Sequence, residues 1–301
     1  MRLLRFARND RIIAMWILMG LSAALLHATE GAWCKHLSRR GFSSGIMSLA
    51  LFLFAVPVYF AALLSSEVPV LGPAFWPAAL GSAAINLVSI FLYMKAISVG
   101  ELGAVFPLIA LSPAFMLLTN PILLGDHAGL GGLTGLPLVC LGVYLLGLKP
   151  GMPWTEPLKF TDKSHRYALS CALMWSVAAN LDKLGTVHSS PAFFLIVRDS
   201  ITASGILALI FLRRPGELSR LGTLSGIASL ALIGQLSAVA GIIQIKAQLL
   251  THAAYPLAIK RLGLVAAGIY GKIFFGEELG FKRVAAWLAI LGGLGLMILK
   301  P

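Results

Sequence analysis

The chain has 301 residues, of which 58% are apolar and only 12% charged, against the roughly 25% charged residues of a soluble domain. A soluble enzyme is excluded: a helix needs about 20 apolar residues to cross a bilayer, and a mean hydropathy of +0.88 leaves material for about ten spans and little for an aqueous domain. The 24 lysines and arginines exceed the 12 aspartates and glutamates, for a net charge of +12; they cluster in short connections, where lipid head groups and topology account for them without any nucleic acid.

Uninterrupted apolar stretches between Gly, Pro and charge clusters predict helices over residues 12–34, 45–65, 75–98, 102–124 and 129–148. A lone leader peptide is excluded, because apolar stretches continue to Lys300 and the first shows no cleavage pattern. Residues 149–165, with Pro150, Pro153, Pro157 and several charges, form the longest polar stretch and read as a central linker. A second set of helices is expected over 166–184, 191–212, 223–249, 252–276 and 282–299. Pro107 and Pro256 fall in first turns, where a missing N–H costs little, whereas Pro113 and Pro121 are interior and should bend the fourth helix. Gly131 and Gly135, and the group Gly292, Gly293 and Gly295, allow close backbone approach in the fifth and tenth helices. Cys34, Cys140 and Cys171 lie in apolar stretches with no C-x-x-C spacing, which indicates neither zinc nor a disulfide framework.

Similar strings recur at nearly constant separation in the two sets. Cys34-Lys35 matches Asp182-Lys183, Lys95-Ala96 matches Lys246-Ala247, Phe106-Pro107-Leu108 matches Tyr255-Pro256-Leu257, and Gly125-Asp126 matches Gly276-Glu277. The expected fold is therefore an all-α integral membrane protein whose ten transmembrane helices form two inverted five-helix repeats, 12–148 and 166–300, joined by the linker 149–165. An odd number of spans per copy brings the second copy into the membrane from the opposite side, an arrangement that many secondary transporters use for alternating access. Both termini then lie on one side. Loop cations favour that side being outside, and the four arginines before the first span favour inside.

The stretch YMKAISVGELGAVFPLIALSPAFMLLTNPILLGD resembles the third and fourth helices of an EamA domain of the drug/metabolite transporter superfamily, and GLPLVCLGVYLLGL resembles its fifth. The stretch HAAYPLAIKRLGLVAAGIYGKIFFGEELGFKRVAAWLAILGGLGLMIL is similar to the last two helices of such transporters. The resemblance implies five plus five helices, location in a bacterial inner (cytoplasmic) membrane and a small-molecule substrate exchanged with a proton or counter-substrate. It names no cargo, since the superfamily moves amino acids, nucleotide sugars, phosphorylated sugars, drugs and lipid-linked molecules.

Charged residues inside spans cost several kcal/mol each and mark polar pathways. Lys260-Arg261, about two to three turns into the ninth helix, is the clearest case. In the triose-phosphate and nucleotide-sugar branches of the resembled superfamily a similar pair meets substrate phosphate. A Lys point charge and an Arg fork suit an oxyanion; the alternative is that they pair with Glu30 or Asp199. Glu30, with His27 and Trp33 at helical spacing, forms a polar and aromatic face suited to coupling or counter-charge, or is merely solvated near the interface. The sixth helix offers Trp175, Ser176, Asn180, Asp182 and Lys183, which alternatively read as a packing ring and a solvated helix end. Arg198 and Asp199 are adjacent and should not face each other, so each needs a partner elsewhere, and Arg198 is a cavity candidate. Tyr255, with Trp33 and Trp175, would supply flat apolar walls. Lys95 and Lys246 read as interfacial, whereas Asn86, Tyr93, Gln235, Gln244, Tyr255 and Tyr270 need partners within the bundle.

The substrate-binding set is thus Lys260, Arg261, Arg198, Glu30, Trp33, Trp175, Asn180 and Tyr255, with no catalytic residue, metal or cofactor. The favoured function is a secondary transporter of an anionic or phosphate-bearing metabolite. The alternatives are an exporter of neutral or cationic amphipathic metabolites or drugs, and a membrane-embedded lipid-modifying enzyme. The enzyme reading lacks its residue sets: there is no H-E-x-x-H, G-x-G-D, D-D-x-x-D or P-loop.

Overall fold

The computed structural model describes residues 2–64, 69–99, 108–109, 111–147, 153, 162–213, 216–217, 224–263 and 281–299. In chain order the helices are α1 (Arg2–Arg39), α2 (Ser44–Leu53), α3 (Val56–Leu64), α4 (Phe75–Val99), α5 (Ser112–Leu124) and α6 (Leu130–Gly147). They continue with α7 (Lys163–Val187), α8 (Pro191–Arg213), α9 (Leu224–Leu250), α10 (Ala254–Lys260) and α11 (Phe281–Leu299). Among the described residues there is no strand. A helix satisfies its backbone groups within one segment, which is what a chain surrounded by hydrocarbon requires. Phe106, Pro107, Tyr270, Gly276, Glu277 and most of the linker lie outside the described residues.

Among the described residues five segments are long and apolar enough to cross a membrane: Arg11–Arg39, Ser44–Leu64, Phe75–Tyr93, Pro191–Arg213 and Ser225–Leu250. Ser112–Leu124, Leu130–Leu145 and Ala285–Met297 are shorter apolar helices. Side chains are distributed as they are in lipid. Leu118, Ile122, Leu130 and Leu288 point outward and are more than half exposed, whereas Ser82, Asn120, Ser176, Asn180 and Asp199 are buried.

Three departures from straight helices shape the interior. The single span expected over 45–65 is divided at Phe54 and Ala55 into α2 and α3. Pro57 has no N–H with which to continue the ladder, and the chain tightens there through Val58 N to Ala55 O (3.1 Å). Pro113 does not bend a helix from within. The helix restarts at Ser112 after Leu111, with Pro113 in its first turn, and only Pro121 is interior. The third break follows Lys260: α10 stops, Arg261 forms a turn, and helical geometry resumes at residues 262 and 263. Ends are capped locally, Ser43 accepting from Ile46 N (3.3 Å) and Asp162 from Ser164 N (2.8 Å). At the end of α5, Gly125 adopts φ 62°, in the left-handed region that a C-terminal turn needs.

Packing runs across the chain. α1 packs on α9 and α10, α4 on α7 and α8, α2 on α8 and α9, α5 on α7, and α6 on α11. The α6–α11 seam is the tightest: a Cβ on Gly135 would meet the Gly293 carbonyl oxygen, and a Cβ on Gly293 that of Gly135. Gly295 opens onto free space instead, so only part of the expected glycine cluster serves close approach. Gly135→Ala and Gly293→Ala should each destabilise the protein by about 1–3 kcal/mol through overpacking, and Gly295→Ala should be neutral. Thermal unfolding in detergent micelles checks this; equal midpoints for all three would remove the seam's structural role.

Candidate functional site

Breaks, polar residues and charges converge on one cavity of about 430 Å³ whose walls come from α1–α5 and α7–α10. Its apolar lining includes Leu51, Phe52, Leu195, Ile245 and Leu257, and Trp175 lies against Tyr93 with ring centroids 5.9 Å apart.

Lys260 and Arg261 enter this cavity where α10 breaks. Arg261 Nη2 donates to Ser112 Oγ at 2.6 Å, while its buried Nε has no partner among the described residues. Lys260 forms no hydrogen bond or ion pair among the described residues. Neither anion considered as a partner touches this pair, although Glu30 lies near enough to Lys260 to act on it electrostatically. Glu30 is bonded to His27 (Oε2 to Nδ1, 3.0 Å), one turn away on the same face of α1, and lines the cavity rather than a solvated interface. Asp199 is held by Arg198 and by a hydrogen bond with the Tyr59 hydroxyl.

Another part of the wall, from α7 and α8, is acidic. Arg198 donates from Nη1 to Asp182 Oδ2 (2.7 Å) and from Nε to Asp199 Oδ1 (2.6 Å). The expectation that Arg198 and Asp199 could not meet fails: backbone spacing separates their Cβ atoms, but the guanidinium is long enough to fold back over the neighbouring carboxylate. Asp182 also accepts from Ser82 Oγ. With two carboxylates on one guanidinium, Arg198 is neutralised and is not a free cavity cation. Asp182 and Lys183 are not a solvated end either, because α7 continues to Val187. Lys183 Nζ donates to Asp126 Oδ2 and to the Thr251 carbonyl, both at 3.0 Å, tying three helix ends together.

Five of the eight candidate residues therefore line the cavity: Lys260, Arg261, Arg198, Glu30 and Trp175. Three do not. Trp33 lies beside His36 in the apolar cluster around α2 and α8. Asn180 is buried one face away and donates to Thr119 Oγ1 (2.9 Å), joining α7 to α5. Tyr255 is a core residue, its ring 6.2 Å from Trp16 and 5.1 Å from His252. Each is polar or aromatic within a span, but facing direction depends on crossing geometry that one helix does not carry. Lys95 and Lys246 are exposed, as expected for interfacial positions.

Gln244 and Gln248 of α9 also line the cavity. Gln244 is one of the polar residues expected to need a partner, whereas Gln248 is absent from the expected set. The signal that points to it is its i, i+4 spacing from Gln244. Both are buried, and both amide atoms of Gln244 and Oε1 of Gln248 lack partners among the described residues. A buried polar group left unpaired costs about 1–3 kcal/mol.

The ion cluster makes a separate prediction. Arg198→Met leaves Asp182 and Asp199 buried without their cation and should destabilise the protein by about 3–5 kcal/mol. Adding Asp182→Asn and Asp199→Asn should recover much of that loss. Thermal unfolding of the single and triple variants measures both; a triple variant as unstable as Arg198→Met would mean that packing rather than charge holds the cluster.

Residues 14–148 match the model of the EamA-like transporter family. No curated protein matches the chain. A solved structure described only as "Crystal structure of protein" superposes with a TM-score of 0.70 over 94% of this chain and 97% of that chain, at 18% identity. At that identity the similarity is one of fold alone, and it spans nearly the whole chain. Over residues 14–148 the chain thus carries a segment that matches the EamA-like transporter family, part of the drug/metabolite transporter superfamily, and its apolar helices support an integral membrane protein.

Proposed function

We propose that the chain is a secondary transporter that moves a small anionic, phosphate- or carboxylate-bearing metabolite by alternating access, with Lys260 and Arg261 as its anion-binding residues. One observation carries the anion: two adjacent, partly buried cations line the cavity, and neither forms an ion pair among the described residues. A charge at that depth costs several kcal/mol, and an incoming anion supplies the missing counter-charge. Glu30, beside His27 in the same cavity, balances Lys260 and Arg261 when the cargo is absent, or couples transport to a proton or counter-substrate.

Alternating access rests on the reading of 12–148 and 166–300 as inverted five-helix repeats in ten spans. The helix contacts support it. Exchanging α1 with α7, α2 and α3 with α8, α4 with α9, α5 with α10 and α6 with α11 converts the α1–α9 contact into α7–α4, and α5–α7 into α10–α1, all of which occur. Equivalent positions also meet in the cavity: His27 and Trp175, Asn86 and Ser237, Tyr93 and Gln244 all line it. Ser112 and Arg261, equivalent by the spacing of the two Pro-Leu strings, bond directly to one another.

A second reading, export of neutral or cationic amphipathic metabolites, draws on the excess carboxylate of the Asp182–Arg198–Asp199 wall. The cargo is found by comparing metabolites in deletion and overexpressing cells, then measuring its uptake into proteoliposomes. Lys260→Gln and Arg261→Gln should each reduce uptake of an anionic cargo at least tenfold, about 1.4 kcal/mol in transition-state terms, with normal expression. Unchanged uptake in both variants would leave the second reading. Reporter fusions at residue 301 and within 149–165 should report opposite sides of the membrane; the same side would mean an even number of spans in the second half.

A further inference from the structure

We infer that Gln244 and Gln248 recognise the uncharged part of the cargo, and that the cargo is a small anion that also carries hydroxyl or amide groups. The inference rests on the anion-binding reading of Lys260 and Arg261. It starts from an imbalance in the cavity: Gln244 is 6% exposed and Gln248 3% exposed, both line the space that Lys260 and Arg261 enter, and Gln244 Nε2, Gln244 Oε1 and Gln248 Oε1 have no partner among the described residues.

Four residues apart on α9, they stand one turn above the other on the same face, about 6 Å apart. Each offers a carbonyl acceptor and an NH₂ donor, so the pair can both give and receive hydrogen bonds along a ligand two or three bonds long. A hydroxyl or amide does the same in return; a methylene does neither. Water can satisfy the amides in the empty cavity, but a cargo that fills the cavity displaces it. An anion without polar groups then strands three buried polar atoms, and sites built this way reject analogues that lack the matching hydroxyl. The anionic head and the polar body are thus read by different helices, α10 and α9.

The test uses the full chain purified in detergent, with glycerol phosphate and propyl phosphate as probes of equal charge that differ by two hydroxyls. Calorimetry should show wild-type protein binding glycerol phosphate at least tenfold more tightly. Gln244→Leu and Gln248→Leu should each bring that ratio toward one, weakening glycerol phosphate and, by removing a stranded amide, tightening propyl phosphate, and Lys260→Gln should weaken both probes alike. Ligand-free Gln244→Leu should unfold at the wild-type temperature or above, because no structural bond is lost; Gln244→Met carries the same test if the leucine variant does not fold. Equal wild-type affinity for the two probes, a ratio that survives both glutamine variants, or a lower unfolding temperature without ligand overturns the glutamine inference and leaves the anion site standing. Normal binding of both probes by Lys260→Gln, or binding of neither by wild type, overturns the anion site and this inference with it.

Discussion

A charge carried into an apolar layer must find its opposite within the protein, and in this chain that constraint sorts the interior. Arg198 meets it completely, one guanidinium holding two carboxylates that also accept from Ser82 and Tyr59. Lys183 meets it at a helix end through Asp126 and Thr251. Lys260 meets it only in part: Glu30 shares its cavity, but no hydrogen bond or ion pair joins them. The first two arrangements hold helices together; the third is tolerable only where the cavity admits water or ligand. Structure-bearing and ligand-bearing charges are therefore told apart by satisfaction rather than by residue type, since all three are cations.

The proposed two-fold relation sharpens this contrast. Equivalent positions share the task of lining the cavity but not its chemistry: His27 has Trp175 as its counterpart, Tyr93 has Gln244, and Arg261 has Ser112. Shape can therefore follow the repeat while charge does not. A cavity with identical halves would offer its cargo two equivalent poses; one whose cations Lys260 and Arg261 and carboxylates Asp182 and Asp199 come from different helices selects a single orientation.

Helix periodicity and apolar length are legible in the amino-acid sequence, because each depends on a single segment. So are the placement of Lys260 and Arg261 in a polar interior, which follows from cost, and the need of Gln244 for a partner. What the sequence does not carry depends on two segments at once. Whether Trp33, Asn180 or Tyr255 faces the cavity turns on helix rotation, and only packing against His36, Thr119 and Trp16 fixes it. The Arg198–Asp199 contact escapes helix-face rules because these describe Cβ positions, whereas a guanidinium acts several bonds beyond. Pro57 sits inside a uniformly apolar run that reads as one span, although its missing N–H divides α2 from α3.

The kind of contact at each seam bears on which parts can move in the proposed transport cycle. α6 and α11 meet backbone to backbone at Gly135 and Gly293, with no room for a side chain between them. Sliding such a seam by part of a turn drives Cα atoms and carbonyls into one another, because packed interfaces are bistable rather than continuously deformable. The contact between Arg261 and Ser112 in the cavity wall is different: it is a single polar link between side chains. Water or cargo can replace a polar link at little net cost, whereas nothing replaces a glycine seam. In an alternating-access cycle the α6–α11 pair is therefore suited to remain a fixed support, and the breaks after Leu111 and Lys260, which leave α5 and α10 as short segments beside the cavity, are suited to absorb the change.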